Sequence, residues 1–170
     1  MKNYIAPKDK ILCAKFRKGH FEGVLDVMNK LTKIVRPKKI FMGEKDFQQL
    51  YLVKRELVKK YKTKVIPCKT VRDRNNVALS SRNLLLNKSN LIIAAKIYEK
   101  LVGIKKYIKN KKKIRTFLNL QKKELKNNYK IKIDYLELRN IKNLKISSTN
   151  KNSRLFIAYY LNNIRLIDNL

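Results

Sequence analysis

The segment Gly43-Glu44-Lys45-Asp46-Phe47-Gln48-Gln49-Leu50 decides the fold class of this 170-residue chain. It follows a short apolar run, Lys39–Met42, which predicts a buried strand, and it opens a helical pattern that continues to about Lys60. Ligands of open α/β sheets bind where a strand ends and a helix begins. The segment therefore predicts a ligand site in an α/β fold. An ordinary helix with an N-cap at Asp46 and a solvated Lys45 is the other interpretation.

Residues 1–70 predict the order helix, strand, helix, strand. Met1 to Lys18 are basic and predict an irregular stretch. Glu22–Ile34 predict an amphipathic helix that ends at Arg36-Pro37, and Lys64–Cys68 predict a second strand, joined to the first by a right-handed parallel crossover. The apolar face of that first helix is predicted to comprise Val24, Val27, Met28, Leu31, Ile34 and Val35.

Residues 71–170 predict a small α+β domain with an antiparallel sheet. Its predicted elements are a helix from Lys88 to about Lys109 capped by Asn87, a basic link at Asn110–Lys113, a helix over Ile114–Lys126, and strands at Lys130–Leu138, Ser153–Leu161 and Ile164–Asp168, the last two joined by a turn at Asn162-Asn163. The predicted class is thus α/β, with a partial Rossmann-like parallel sheet in residues 1–70 followed by this α+β domain.

The formal charge of +31 comes from 43 Lys and Arg against 12 Asp and Glu. These basic residues are spread over the whole chain, which favours a generally solvated basic surface, while a nucleic-acid-binding module remains the alternative. Two distant cysteines and one histidine are too few for a zinc site. Neither a signal peptide nor an apolar run of about 20 residues is visible. Free thiols suit a reducing cytosol, so the composition predicts a cytoplasmic protein without a metal site or a membrane contact. No tightly bound cofactor is expected.

Two further places carry side chains suited to a site. Ser80, Ser81 and Arg82 could hold a phosphate by charge-assisted hydrogen bonds, although a helix start capped by serine gives the same pattern. His20, which stands just before the predicted first helix, is either a hydrogen-bonding loop residue or part of a site.

Taken together, four segments resemble the pantothenate synthetase (pantoate–β-alanine ligase) family. Phe16–Val24 is similar to R-P-G-H-F-x-G-V, with Lys18 in place of the proline; Arg36–Leu50 is similar to R-P-x-x-x-x-F-G-E-K-D-[FY]-Q-Q-L; Val71–Asn83 is similar to R-x-x-D-G-L-A-[LM]-S-S-R-N, with Asn76 where a glycine usually stands; Arg165–Asn169 is similar to R-L-I-D-N. The family adenylates the carboxylate of pantoate with ATP, releasing pyrophosphate. The amine of β-alanine then displaces AMP.

The resemblance implies roles for particular residues. ATP would contact Gly43, Glu44, Lys45, Asp46, the backbone of Val71, Leu79, Ser80, Ser81 and Arg82, with Lys45 and Arg82 stabilising charge on the phosphates in the transition state. Pantoate would bind Gln49 and lie near His20, Val24, Val27 and Met28. The implied partners are ATP with Mg²⁺, pantoate and β-alanine, without a specific nucleic acid; a homodimer is left open.

The chain also lacks a stretch that the family carries. The family's P-T-M-G-x-L-H-x-G-H stretch, whose histidines grip the triphosphate, does not occur in this sequence. The resemblance therefore implies an N-terminally truncated copy, which is either part of a working ligase or an inactive remnant. Another adenylyl-transfer enzyme of the same superfamily is the remaining alternative.

Overall fold

The computed structural model describes residues 5–108 and 113–170, and the chain divides into two compact units, Met1–Thr70 and Val71–Leu170. The first unit contains a parallel two-stranded sheet and the second an antiparallel three-stranded sheet, each with its own helices. The predicted fold class, α/β followed by α+β, is thereby confirmed. Within the described ranges, none of the helices has both the length and the apolar character that a membrane crossing requires.

The elements of the first unit are a 3₁₀ helix at Pro7–Asp9, α1 (Leu12–Phe16), α2 (His20–Val35), β1 (Lys39–Gly43), a 3₁₀ turn at Glu44–Asp46, α3 (Phe47–Tyr61) and β2 (Lys64–Cys68). β1 and β2 are parallel, with Lys39 opposite Lys64 and Gly43 opposite Cys68. Leu52, Val53 and Leu57 are the most deeply buried side chains of α3, which packs against both strands. The predicted helix–strand–helix–strand order is confirmed.

The prediction that residues 1–18 are irregular is wrong for residues 5–18, the part that the structure describes, because two side chains of α3 hold this segment in place. The Gln48 amide nitrogen donates to the carbonyls of Asp9 (3.0 Å) and Ile11 (2.9 Å), and its oxygen accepts from the Ala14 N–H at 3.3 Å. The Arg55 guanidinium donates two hydrogen bonds to the buried Asp9 carboxylate, at 2.7 and 3.1 Å. This hydrogen bond to Asp9, opposed by burial, raises the pKa of Arg55. Contacts across more than 30 residues thus support α1, which no local pattern indicates.

α2 buries a different face from the one that its periodicity predicted. The helix begins at His20, so that this residue lies in the first turn rather than before the helix. Its buried residues are Phe21, Leu25 and Thr32, on the side that packs mainly against α3. Four residues of the predicted apolar face are instead exposed: Val27, Leu31, Ile34 and Val35. Arg36, at a φ of 49°, terminates the helix as predicted.

The second unit places two helices on an antiparallel sheet. Its elements are a 3₁₀ helix at Ser81–Leu85, α4 (Lys88–Tyr107), α5 (Ile114–Tyr129), β3 (Lys132–Asn140), β4 (Ser153–Leu161) and β5 (Ile164–Asn169), with the sheet in the order β3-β4-β5. Ile97 and Leu101 of α4 share one core with Leu138, Leu155 and Ile157 of the sheet. Both helices and all three strands were predicted. The expected helix end at Lys109 and residues 110–112 of the link lie outside the described residues.

Two local predictions in this unit are confirmed by hydrogen bonding and register. The Asn87 side chain caps α4 by accepting from the Asn90 N–H at 2.8 Å. Asn162-Asn163 forms the two-residue connection between β4 and β5, with Leu161 opposite Ile164. Asn162 takes a φ of 52°, a conformation that asparagine tolerates better than most side chains.

Candidate functional site

The first group of predicted site residues lies at the carboxyl end of β1. Gly43 ends the strand, Glu44–Asp46 form the 3₁₀ turn, and α3 follows at once. The first backbone N–H groups of a helix have no partner within it and favour a negative charge, so this end of α3 suits an anionic ligand. Asp46 occupies the N-cap position as predicted, but its exposed carboxylate makes no capping hydrogen bond.

The two neighbouring glutamines of the focal segment have different environments. Gln48 is 5% exposed, and its amide is engaged in holding the preceding segment. Gln49 is half-buried, like Glu44 and Lys45. Because residues 48 and 49 lie about 100° apart around a helix, only one of them can face the core. Gln49 is therefore the glutamine whose amide a ligand could reach.

The predicted pantoate-lining residues share one face of α2. Val24 lies four residues after His20, and Val27 and Met28 lie three and four residues after Val24, which places the four side chains on the same side of the helix. Val24 and Met28 are half-buried, whereas Val27 is exposed. The His20 ring lies 4.9 Å from the Phe21 ring, centre to centre. The structure therefore brings these four residues together on one helix.

The remaining ATP-side residues lie in the second unit, in a closed turn at its start. The Leu79 N–H donates to the Val71 carbonyl at 3.0 Å, and Arg72 forms a bridge with Ala78. Val71 and Leu79 are both exposed. The turn thus presents the Val71 backbone next to Leu79, two positions to which the family resemblance assigns adenosine and phosphate contacts.

Asp73 and Asn76 form the tip of this turn. The Asp73 carboxylate accepts from the N–H groups of Asn75 (2.8 Å) and Val77 (2.9 Å). Asn76 has a φ of 64°, the left-handed region that favours glycine, which explains how a glycine can stand here in the family.

We expect Asn76→Gly to leave stability within about 1 kcal/mol of the parent chain, whereas Asn76→Val should cost about 1–2 kcal/mol. A β-branched side chain is strained at a left-handed φ, and glycine is not. Thermal unfolding followed by circular dichroism measures the difference. Asn75→Val is the control, since Asn75 is exposed and contributes its backbone N–H to the turn. An equal loss in both valine variants would contradict this explanation.

A partly buried ion pair that the sequence reasoning missed anchors the turn. The Arg72 guanidinium donates to the Asp168 carboxylate at 2.7 and 2.8 Å, across 96 residues. Its central carbon also lies 4.3 Å from the centre of the Tyr98 ring. Burial lowers the pKa of Arg72, but the hydrogen bonds and charge of Asp168 outweigh it and the pKa is raised. Burial, with a smaller contribution from Asp168, raises the pKa of Tyr159. The sequence did contain a clue to the ion pair, because Arg72 and Asp168 carry opposite charges and both lie within segments that resemble the family motifs.

Ser80, Ser81 and Arg82 follow the turn at the start of the 3₁₀ helix. The Ser80 hydroxyl accepts from the Arg82 N–H at 3.2 Å, so the serine-cap interpretation is right, although the helix is 3₁₀ rather than α. The Arg82 guanidinium donates to the Arg165 carbonyl of β5 at 2.7 Å. Ser81 is exposed. These three residues thus present hydroxyl and guanidinium groups on a segment held against the sheet of the second unit.

No group of three His, Cys, Asp or Glu residues is placed to hold an ion in residues 5–108 and 113–170. The two groups of predicted site residues carry side chains that suit a phosphate: a lysine beside a helix N-terminus in the first unit, and two serines with an arginine in the second.

Comparison with known proteins gives these two groups a context. The family model described as pantoate-beta-alanine ligase matches residues 3–170. The pantothenate synthetase of Flavobacterium psychrophilum is 40% identical over 161 residues, which are 92% of this chain and 56% of that protein. The pantothenate synthetase of Francisella tularensis subsp. mediasiatica is 40% identical over 94% of this chain and 53% of its own length.

Solved structures show the same relation. The crystal structure of pantothenate synthetase from Thermus thermophilus matches with a TM-score of 0.86 and 29% identity, over 98% of this chain and 61% of that one. Pantoate-beta-alanine ligase from Francisella tularensis, complexed with beta-gamma ATP and beta-alanine, matches with a TM-score of 0.75 and 33% identity over 99% of this chain and 56% of that one. The chain thus spans little more than half the length of these relatives. By sequence and by fold, it belongs to the pantoate–β-alanine ligase family.

Proposed function

We propose that this chain is the carboxyl-terminal part of an ATP-dependent ligase that joins pantoate to β-alanine through a pantoyl-adenylate. The observation that carries the proposal is the position of Gly43–Gln49 at the end of a parallel strand and the start of a 15-residue helix, in a chain of this family. That position suits a polyphosphate. Cys13 and Cys68, both in the described part of the chain, are not joined by a disulfide, which supports a reducing compartment such as the cytoplasm.

In the first proposed step, a carboxylate oxygen of pantoate attacks the α-phosphorus of ATP, and pyrophosphate leaves with the electrons of the broken P–O bond. Both reactants are anions, so the step needs cationic groups that stabilise the developing charge. Lys45 and Arg82 supply those charges in the proposal, and Mg²⁺ enters as part of the ATP substrate. Gln49 orients pantoate by hydrogen bonding, next to the apolar side chains of Val24, Val27 and Met28.

In the second proposed step, the amine of β-alanine attacks the acyl carbon of the adenylate. The new C–N bond forms as AMP leaves, and the amine gives up a proton. Binding both substrates in one place supplies the entropic part of the rate enhancement. The Val71 backbone and the exposed Leu79 and Ser81 side chains would hold the adenylate during this exchange.

The proposal is tested by pyrophosphate release that depends on pantoate. The chain is assayed with MgATP, pantoate and β-alanine, with and without the part of the Flavobacterium psychrophilum relative that lies outside the match. We expect ATP binding by the chain, and turnover when the second polypeptide is present. If the chain neither binds ATP nor turns over with or without the second polypeptide, the proposal is overturned. Oligonucleotide binding that falls steeply with salt, in place of ATP binding, would favour the nucleic-acid alternative.

Lys45→Met is expected to weaken ATP binding at least tenfold, because it removes the charge beside the phosphates. Titration calorimetry with MgATP measures the change. The matched control is Lys54→Met, which removes the same charge from an exposed position on α3. If both variants bind ATP equally well, Lys45 does not contact the phosphates.

A further inference from the structure

A second cavity of the first unit lies at the opposite end of the strands from the Gly43–Gln49 segment. Its volume is about 250 Å³, and it is formed by the ends of α2 and α3 and the residues just before β1 and β2. The five residues of β1 separate the two places by about 15 Å. The lining residues are Thr32, Lys33, Arg36, Pro37, Tyr61 and Thr63.

Thr32 supplies a buried hydroxyl without a partner to this cavity. The residue is 2% exposed, and its Oγ1 atom makes no hydrogen bond to any residue in the ranges 5–108 and 113–170. A buried hydroxyl in this state is unfavourable, because it has given up its bonds to water and gained none from the protein. A ligand in the cavity that bonds to Thr32 would remove that cost.

Two further hydroxyl groups line the cavity and differ in how firmly they are held. Thr63 is buried and donates to the Pro37 carbonyl at 3.0 Å, which fixes this wall of the cavity. The Tyr61 hydroxyl donates to the Asn29 carbonyl at 3.4 Å, a long distance for a bond between two oxygens. Tyr61 can therefore exchange this contact for a shorter bond to a ligand, whereas Thr63 is structural.

The charge of the lining residues decides which ligand fits. Lys33 and Arg36 are exposed cations, and among the residues that the structure describes no carboxylate lines the cavity. The carboxyl ends of α2 and α3 oppose an anion, but each contributes only about half an elementary charge. Two formal positive charges, with exposed Lys38, Lys62 and Lys64 close by in the sequence, exceed that contribution. The cavity therefore favours an anion that accepts hydrogen bonds.

We propose that this cavity binds a small anion of the phosphate class. Phosphate oxygens accept hydrogen bonds, so they can pair with the hydroxyls of Thr32 and Tyr61 and with the two cations at the mouth. The guanidinium of Arg36 suits two oxygens of one phosphate, and the ammonium of Lys33 adds a third charged contact. The proposal requires no catalysis, and it stands or falls independently of the proposed ligase activity.

The test is a titration of the full chain, labelled with ¹⁵N, with inorganic phosphate at constant ionic strength. We expect the amide resonances of Thr32, Lys33 and Thr63 to shift together and to saturate with one Kd. Lys33→Gln should raise that Kd about tenfold, because it removes a charge-assisted hydrogen bond. Lys54→Gln is the matched control, since it removes the same charge from an exposed position of α3 that does not line the cavity, and it should stay within twofold.

Two more variants separate this cavity from other places where phosphate can bind. Thr32→Val keeps the shape of the side chain and removes only the hydroxyl, so it should raise the Kd at least about threefold. Thr116→Val makes the same change at an exposed position of α5 and should have no effect. Lys45→Met, at the other end of β1, should leave the shifts at Thr32 unchanged even if it abolishes ATP binding.

Three outcomes would overturn the proposal. The first is the absence of a phosphate-dependent shift at Thr32 and Thr63. The second is a shift that grows without saturation, which is the behaviour of general attraction to a basic surface. The third is equal weakening by Lys33→Gln and Lys54→Gln, which would show that total charge rather than this cavity determines the binding.

Discussion

Arg72→Leu is expected to lower the free energy of unfolding of the Val71–Leu170 unit by about 3 kcal/mol. The substitution leaves the Asp168 carboxylate, 9% exposed, without the guanidinium that pairs with it at 2.7 Å. It also removes the contact with the Tyr98 ring. Native-state hydrogen exchange on the full chain measures the loss for this unit separately from the first one, and urea unfolding gives the total.

Two variants test whether the loss comes from an unpaired buried charge. Arg72→Leu combined with Asp168→Leu removes both charges and should be less destabilised than Arg72→Leu, since the cost lies mainly in the charge left behind. Lys100→Leu breaks the exposed contact with Glu124, where the atoms are 3.9 Å apart, and should change stability by less than about 1 kcal/mol. Equal losses for Arg72→Leu and Lys100→Leu would show that the Arg72 pair is no more than a surface contact.

Gln48→Leu should destabilise the first unit by about 3 kcal/mol, whereas Gln49→Leu should leave its stability within about 0.5 kcal/mol. Gln48 bonds to the carbonyls of Asp9 and Ile11 and to the Ala14 N–H, and leucine would remove all three hydrogen bonds near the core. Hydrogen exchange in α1 is the direct measurement, and protection there should fall in Gln48→Leu. Similar protection in both variants would contradict the separation of the two glutamines.

The same pair of variants bears on the proposed function. Gln49→Leu should lower pantoate affinity in the reconstituted ligase assay while ATP binding to the chain persists, because its amide is assigned to pantoate. Gln48→Leu should affect both through loss of structure. A Gln49→Leu variant with unchanged pantoate affinity would remove Gln49 from the proposed site.

The sequence by itself determined the fold class, most element boundaries and the family. Apolar periodicity sufficed for α3, α4 and the strands, because burial of an apolar face and local hydrogen bonding act in the same direction there. Short-range signals were equally reliable at Asn87 and at Asn162-Asn163, where the side chain or the turn acts on its own neighbours. The motifs of the focal segment and of Val71–Asn83 identified the family, which the comparisons confirm.

Only the tertiary structure decided which side chains are structural and which are left for a ligand or a partner. The order of residues 5–18 depends on Gln48 and Arg55, and the Val71–Leu79 turn depends on Asp168, through contacts that join distant parts of the chain. Val27, Leu31, Ile34 and Val35 of the predicted apolar face of α2 are exposed, because periodicity shows that a helix has an apolar face but does not show what covers it. Long-range pairing leaves no local periodicity in a sequence, and so these features required the folded chain.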